Sequence, residues 1–102
     1  MPYVSDVLRE VVDAKIDEVA DDILTHTQPA DRKGLTNYLI TRLALRVLKP
    51  ASGWNYSSLA DVVTTLECSK SEVYRRLVAP YEDGAIQRNG DVPELSDQLS
   101  TA

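Results

Sequence analysis

The amino-acid sequence predicts an all-α protein: three long helices and a short C-terminal one, packed as a helical bundle that oligomerisation completes. Three observations predict it. Apolar residues recur at steps of three and four over three long blocks. The segments between the blocks carry proline, glycine and capping residues. No stretch alternates apolar with polar residues, so no strand is expected. A chain of 102 residues has room for one domain. That helical domain is placed at residues 1–91, with a flexible tail at 92–102.

The first helix is expected over residues 6–24. Val7, Leu8, Val11, Val12, Ile16, Val19, Ala20, Ile23 and Leu24 form one apolar stripe. Ser5 is the N-cap, and Asp6 and Glu10 suit the positive end of the helix dipole. The stripe is wider than one small neighbour can cover, which calls for a partner helix from another subunit.

A break follows at Thr27-Gln28-Pro29-Ala30-Asp31, with Asp31 as the expected cap of the second helix. That helix is expected over 32–48, with Leu35, Leu39, Leu43 and Val47 at four-residue steps. Gly34 near its start is a place for close approach of another backbone. Lys49-Pro50 stops the helix. The third helix is expected to be capped by Ser57 or Ser58 and to carry Leu59, Val62, Val63 and Leu66 inward. Pro80 forces a kink or a new start, residues 81–88 make a short helix, and Asn89-Gly90-Asp91 ends it.

Charge is unevenly spread. Residues 1–27 hold Asp6, Glu10, Asp13, Asp17, Glu18, Asp21 and Asp22 against Arg9 and Lys15. Residues 28–80 hold Arg32, Lys33, Arg42, Arg46, Lys49, Lys70, Arg75 and Arg76 against four acids. Residues 81–102 are acidic again, and the whole chain has a formal charge of −5. A basic middle between acidic ends is either a site for an anion or a surface paired with the acidic first helix, within a subunit or between subunits.

Composition removes several classes of function. Cys68 is the only cysteine, so neither an intrachain disulfide nor a thiol-rich metal site is possible. His26 is the only histidine and falls at the end of the first helix, which argues against triads and histidine zinc sites. Cys68 is expected to be a buried small hydrophobe. The four glycines are scattered, so no phosphate-binding loop is present. The expectation is a protein that is not an enzyme and holds no metal or cofactor. No apolar run reaches membrane-spanning length and no secretory signal is visible, which points to the cytoplasm.

Residues 59–77 hold one motif-like segment. Ser69 with Glu72 three residues on is a capping box, and Ser69-Lys70-Ser71-Glu72-Val73-Tyr74-Arg75-Arg76 looks like the recognition helix of a helix-turn-helix. Against it, Glu67-Cys68 offers no glycine for the turn, Val63 stands where a small residue is expected, and the protein is acidic overall. The plainer alternative is one helix from about 58 to 79. A turn at Glu67-Cys68-Ser69 supports a DNA-binding regulator; unbroken helix there removes the motif.

Several blocks resemble a family. Asn37-Tyr38-Leu39-Ile40-Thr41-Arg42-Leu43 resembles NYxITxL, residues 66–76 resemble LECxKxExYRR, and Ala79-Pro80-Tyr81-Glu82-Asp83 with Asn89-Gly90-Asp91-Val92 resembles APYED and NGDV. They are similar to a family of small uncharacterised proteins of tailed phages and bacteria, over about residues 35–92. The chain departs from that pattern at Gly84-Ala85 and in its longer loop at 49–54. The family pattern often has nonpolar residues where Ser69 and Ser71 stand, which favours the continuous helix. The resemblance carries no activity. It implies a phage or prophage origin and therefore a bacterial host.

Binding is the class the residues favour. Arg42, Arg46 and Lys49 line one helix at i, i+4, i+7, and Lys70 lies one turn before Tyr74. Guanidinium, aromatic ring and hydroxyl together are the chemistry that holds a nucleotide or another planar anion. The expected ligand residues are Arg75, Tyr74, Lys70, Arg42, Tyr38 and Tyr81. Arg76 is assigned to Glu72 at i, i+4, and Arg75, pointing elsewhere, to the ligand. The expected function is a phage-made binding protein, homo-oligomeric through its first helix, that sequesters a small anionic ligand such as a host immune signal, or binds a host protein. The alternatives are the small regulator using residues 59–77 and a virion component.

Overall fold

A computed structural model describes residues 4–96 of the chain. Its elements are helix α1 (Asp6–His26), helix α2 (Pro29–Leu48), helix α3 (Tyr56–Val73), a π-helical turn (Tyr74–Val78) and helix α4 (Ala79–Asn89). Residues 93–96 add one helical turn that no periodicity announced; the rest of the tail expected at 92–102 lies outside the described residues. No strand occurs among the described residues, and the fold is all-α with three long helices and a shorter fourth. None of these helices is long and apolar enough to cross a membrane.

Each boundary has a local cause. Ser5 caps α1 by accepting from the Leu8 N–H at 3.4 Å, and Asp6 in the first turn is ion-paired with Arg9. At the other end both the N–H and the hydroxyl of Thr27 turn back to the Ile23 carbonyl. Helix α2 begins earlier than expected. Pro29 sits in its first turn and Gln28 is the N-cap, so Asp31 is not the cap but a first-turn acid. A proline there loses no hydrogen bond and its φ is already helical, so it starts the helix instead of separating it.

The cap of α3 is neither Ser57 nor Ser58. Asn55 Oδ1 accepts from the Ser58 N–H at 2.8 Å, and Ser58 Oγ accepts from the Asn55 N–H at 3.0 Å. This is the reciprocal geometry of a capping box, with serine in the place usually held by Glu or Gln. The loop before it turns at Gly53, whose φ of +93° excludes most side chains.

Helix continues unbroken through Glu67-Cys68-Ser69 to Val73 and then widens into the π turn. The Ala79 N–H reaches the Tyr74 carbonyl, five residues back. Pro80 explains the widening. It has no N–H for the Arg76 carbonyl, and its ring would collide with that carbonyl in a regular helix. One wider turn moves the carbonyl aside and lets Pro80 fall in the first turn of α4. Gly90 ends α4 with φ +90° and its N–H on the Ile86 carbonyl at 2.8 Å.

Two compact units make up the chain, one within Pro2–Leu66 and the other within Glu67–Ala102. In the first, α1 packs against α2; in the second, the π turn runs directly into α4. Little apolar surface is removed from water. Val62, 8% exposed, is the single buried apolar side chain among the described residues. Val7 of α1 and Val47 of α2 are 72% and 73% exposed. The surplus apolar surface expected of helix one therefore extends to α2, where Ile40, Leu43 and Val47 are also exposed.

Candidate functional site

Six residues were expected to hold an anion, and they divide between the two units. Tyr38 and Arg42 lie on α2 in the first. Lys70 on α3, Tyr74 and Arg75 in the π turn, and Tyr81 on α4 lie in the second.

On α2 the four-residue spacing places the Arg42 guanidinium over the Tyr38 ring, 5.8 Å from its centroid. Arg46 stands one turn further along. Tyr38, Leu39, Arg42, Leu43 and Arg46 border an open recess of about 230 Å³ along this single helix. Neither arginine has a carboxylate partner among the described residues. A guanidinium stacked on a phenol keeps its N–H edge available, so the pair can present an aromatic face and a hydrogen-bonding fork to one planar anion.

The cations of the second unit are differently placed. Lys70 Nζ lies 3.2 Å from Glu67 Oε1. Arg75 Nη2 lies 2.6 Å and Arg76 Nη1 3.7 Å from the same oxygen, Glu72 Oε1. The expected Arg76–Glu72 pair is present, but Arg75, expected to point elsewhere, shares the same carboxylate and makes the closer contact. Adjacent positions diverge at Cβ, but two long side chains bend back to one carboxylate. Glu72 is the reason they do so: its side chain is only 13% exposed, and a carboxylate held that far from water gains from cationic neighbours.

Tyr74 is tied down as well. Its phenol donates to Glu82 Oε2 at 2.9 Å. That hydrogen bond, and after it the negative charge of Glu82, raise the Tyr74 pKa above the ordinary tyrosine value. Tyr81 is exposed and carries the Arg88 guanidinium 5.8 Å over its ring. Arg88 was not among the expected site residues. Its seven-residue spacing from Tyr81 on one helix face was the available signal.

Other expectations change with the structure. Cys68 is exposed, not a buried hydrophobe. It occupies an outward position on α3, where the apolar stripe does not reach. His26 Nδ1 lies 2.9 Å from the Asp22 carbonyl of its own helix. Among the described residues no group of three metal-ligating side chains comes together. The turn that a helix-turn-helix would need at Glu67-Cys68-Ser69 is replaced by helix.

No curated protein and no solved structure matches the chain. A family model does, over residues 1–92, which takes in helix α1 as well as the blocks at 35–92. With nine-tenths of its length matched, the chain belongs to the family described as Domain of unknown function (DUF6899).

Proposed function

We propose that this is a non-enzymatic binding protein that sequesters a small anionic, nucleotide-like ligand, made by a phage and acting in the cytoplasm of its bacterial host. One observation carries the reading: Arg42 lies over the Tyr38 ring with Arg46 a turn away, and neither arginine is neutralised by a carboxylate among the described residues. Lys70 and Arg76, by contrast, meet acids within one helical turn. The recess on α2 is open and borders one helix only, so a ligand would be enclosed when a second copy covers it. Self-association through α1 is therefore part of the proposal. The phage origin draws on the resemblance of the blocks at 35–92 to tailed-phage proteins, and a host immune signal is the ligand that such an origin favours.

A thermal-shift panel of mono-, di- and cyclic nucleotides tests the reading. Ligand at a hundred times its dissociation constant adds about 2.7 kcal/mol of stability. We expect one class of nucleotide to raise the melting temperature of the wild type and to lose that effect in Arg42→Ala and Tyr38→Ala. No shift with any nucleotide overturns the proposal. A shift with duplex DNA alone would overturn it as well, since the ligand would then be a nucleic acid and not a small anion.

A further inference from the structure

Helices α1 and α2 leave three needs unmet. The first is apolar. Val7, Leu8, Val11 and Val12 on α1 and Leu43 and Val47 on α2 are all exposed. Between the helices a groove of about 300 Å³ is lined by Ile16, Val19, Ile23, Leu24 and Leu39. Isolated amphipathic helices are marginal in water without a covered face.

The second need is electrostatic. Helix α1 carries seven acids against Arg9 and Lys15, while α2 carries Arg32, Lys33, Arg42 and Arg46 against Asp31. Among the described residues no ion pair joins the two helices, and the only pair on α1 is Arg9 with Asp6. The acidic helix is therefore not neutralised by the basic one of its own chain.

The third need is a single group. Arg32 reaches into the apolar groove, where its Nη2 contacts the Leu24 carbonyl at 3.4 Å and its Nε is buried with no hydrogen-bond partner. A buried N–H donor left without an acceptor is costly.

We infer that the α1–α2 hairpin pairs with the same hairpin of a second copy, so that each α1 lies between α2 of its own chain and α2 of the other. A second copy is the occupant that meets all three needs. Its α1 brings apolar side chains to the groove and carboxylates toward Arg32. The opposite arrangement, α1 against α1, would set two acidic helices side by side. The size also fits. Helices of 21 and 20 residues present about half their positions on one face, near the 20–30 residues per side of a stable interface. The inference rests on the self-association in the proposed function and not on the ligand.

The test uses the full chain with charges exchanged between helices. One variant carries Asp13→Lys, Asp17→Lys and Asp21→Lys; the other carries Arg32→Glu and Lys33→Glu. By light scattering at micromolar concentration, the wild type should be at least a dimer, each variant alone a monomer, and their equimolar mixture an oligomer again. Monomeric wild type overturns the self-association altogether. Oligomeric wild type with variants that still self-associate leaves self-association standing and overturns this interface. Where circular dichroism shows a variant unfolded, carbodiimide cross-linking of mixed light and heavy-isotope wild type replaces it. Cross-links between copies joining Lys33 to α1 carboxylates support the interface, and their absence overturns it.

Discussion

The phenol of Tyr74 donates to Glu82 Oε2 across 2.9 Å and so joins the π turn to helix α4. Only the neutral phenol donates, and the carboxylate beside it opposes loss of the proton. Whatever stability the bond contributes is fully present below the ordinary tyrosine pKa near 10 and is lost as pH rises through the raised value. Glu82→Gln should move the Tyr74 midpoint back toward the ordinary value. Tyrosine-ring NMR across an alkaline titration measures it; an unchanged midpoint refutes the assignment.

Glu72 serves two arginines, and this changes the expectation for each. Arg75→Ala leaves Arg76 on the carboxylate, and Arg76→Ala leaves Arg75. Both guanidinium groups are well exposed, so either single change should cost less than about 1 kcal/mol. The double variant should cost more than the two singles together, because it strips the half-buried Glu72 of both cations. A double-mutant cycle by urea denaturation gives the coupling, and strict additivity would count against the shared site.

The start of α3 depends on Asn55. Its side chain satisfies the Ser58 N–H, while Ser58, 7% exposed, returns a hydrogen bond to the Asn55 backbone. Asn55→Ala should cost about 0.5–2 kcal/mol, and Ser57→Ala much less. Chemical denaturation followed by circular dichroism at fixed protein concentration compares them. Equal losses would return the cap to the serines.

Three glycines should respond in two directions. Gly34 and Gly84 lie inside helices, and alanine there should stabilise by about 0.5–1 kcal/mol. A Cβ at Gly34 meets nothing within 4 Å, so no backbone among the described residues approaches it, and one at Gly84 meets only the flexible end of Arg88. Gly90 has φ +90° and ψ 165°, a region nearly closed to other residues, and Gly90→Ala should cost about 1–3 kcal/mol. Thermal melts at one protein concentration separate the signs, and a destabilising Gly34→Ala would indicate close approach by another chain.

The helices themselves were legible in the sequence, because a repeat of three and four apolar residues bounded by Ser5, Pro50 and Gly90 has one regular backbone solution. The ends were less so. Pro29 and Asn55 each admit a role as breaker or as first residue, and hydrogen bonds to neighbouring N–H groups decide which. The Arg42–Tyr38 pair follows from four-residue spacing on one helix and could be read directly.

What the tertiary structure decided is where long side chains go and how much apolar surface is left over. Helical spacing sets the direction of Cβ, but Arg75 and Arg76 extend several bonds beyond it and converge on one half-buried Glu72. Pro80 announces a disturbance in the sequence; that it is absorbed by a wider turn at Tyr74–Val78 depends on the helix on either side continuing. An apolar stripe states that a face seeks cover and says nothing of whether its own chain supplies it. Here, among the described residues, Val62 is the single apolar side chain that is buried, because burial depends on what packs against a face and not on the periodicity that creates it.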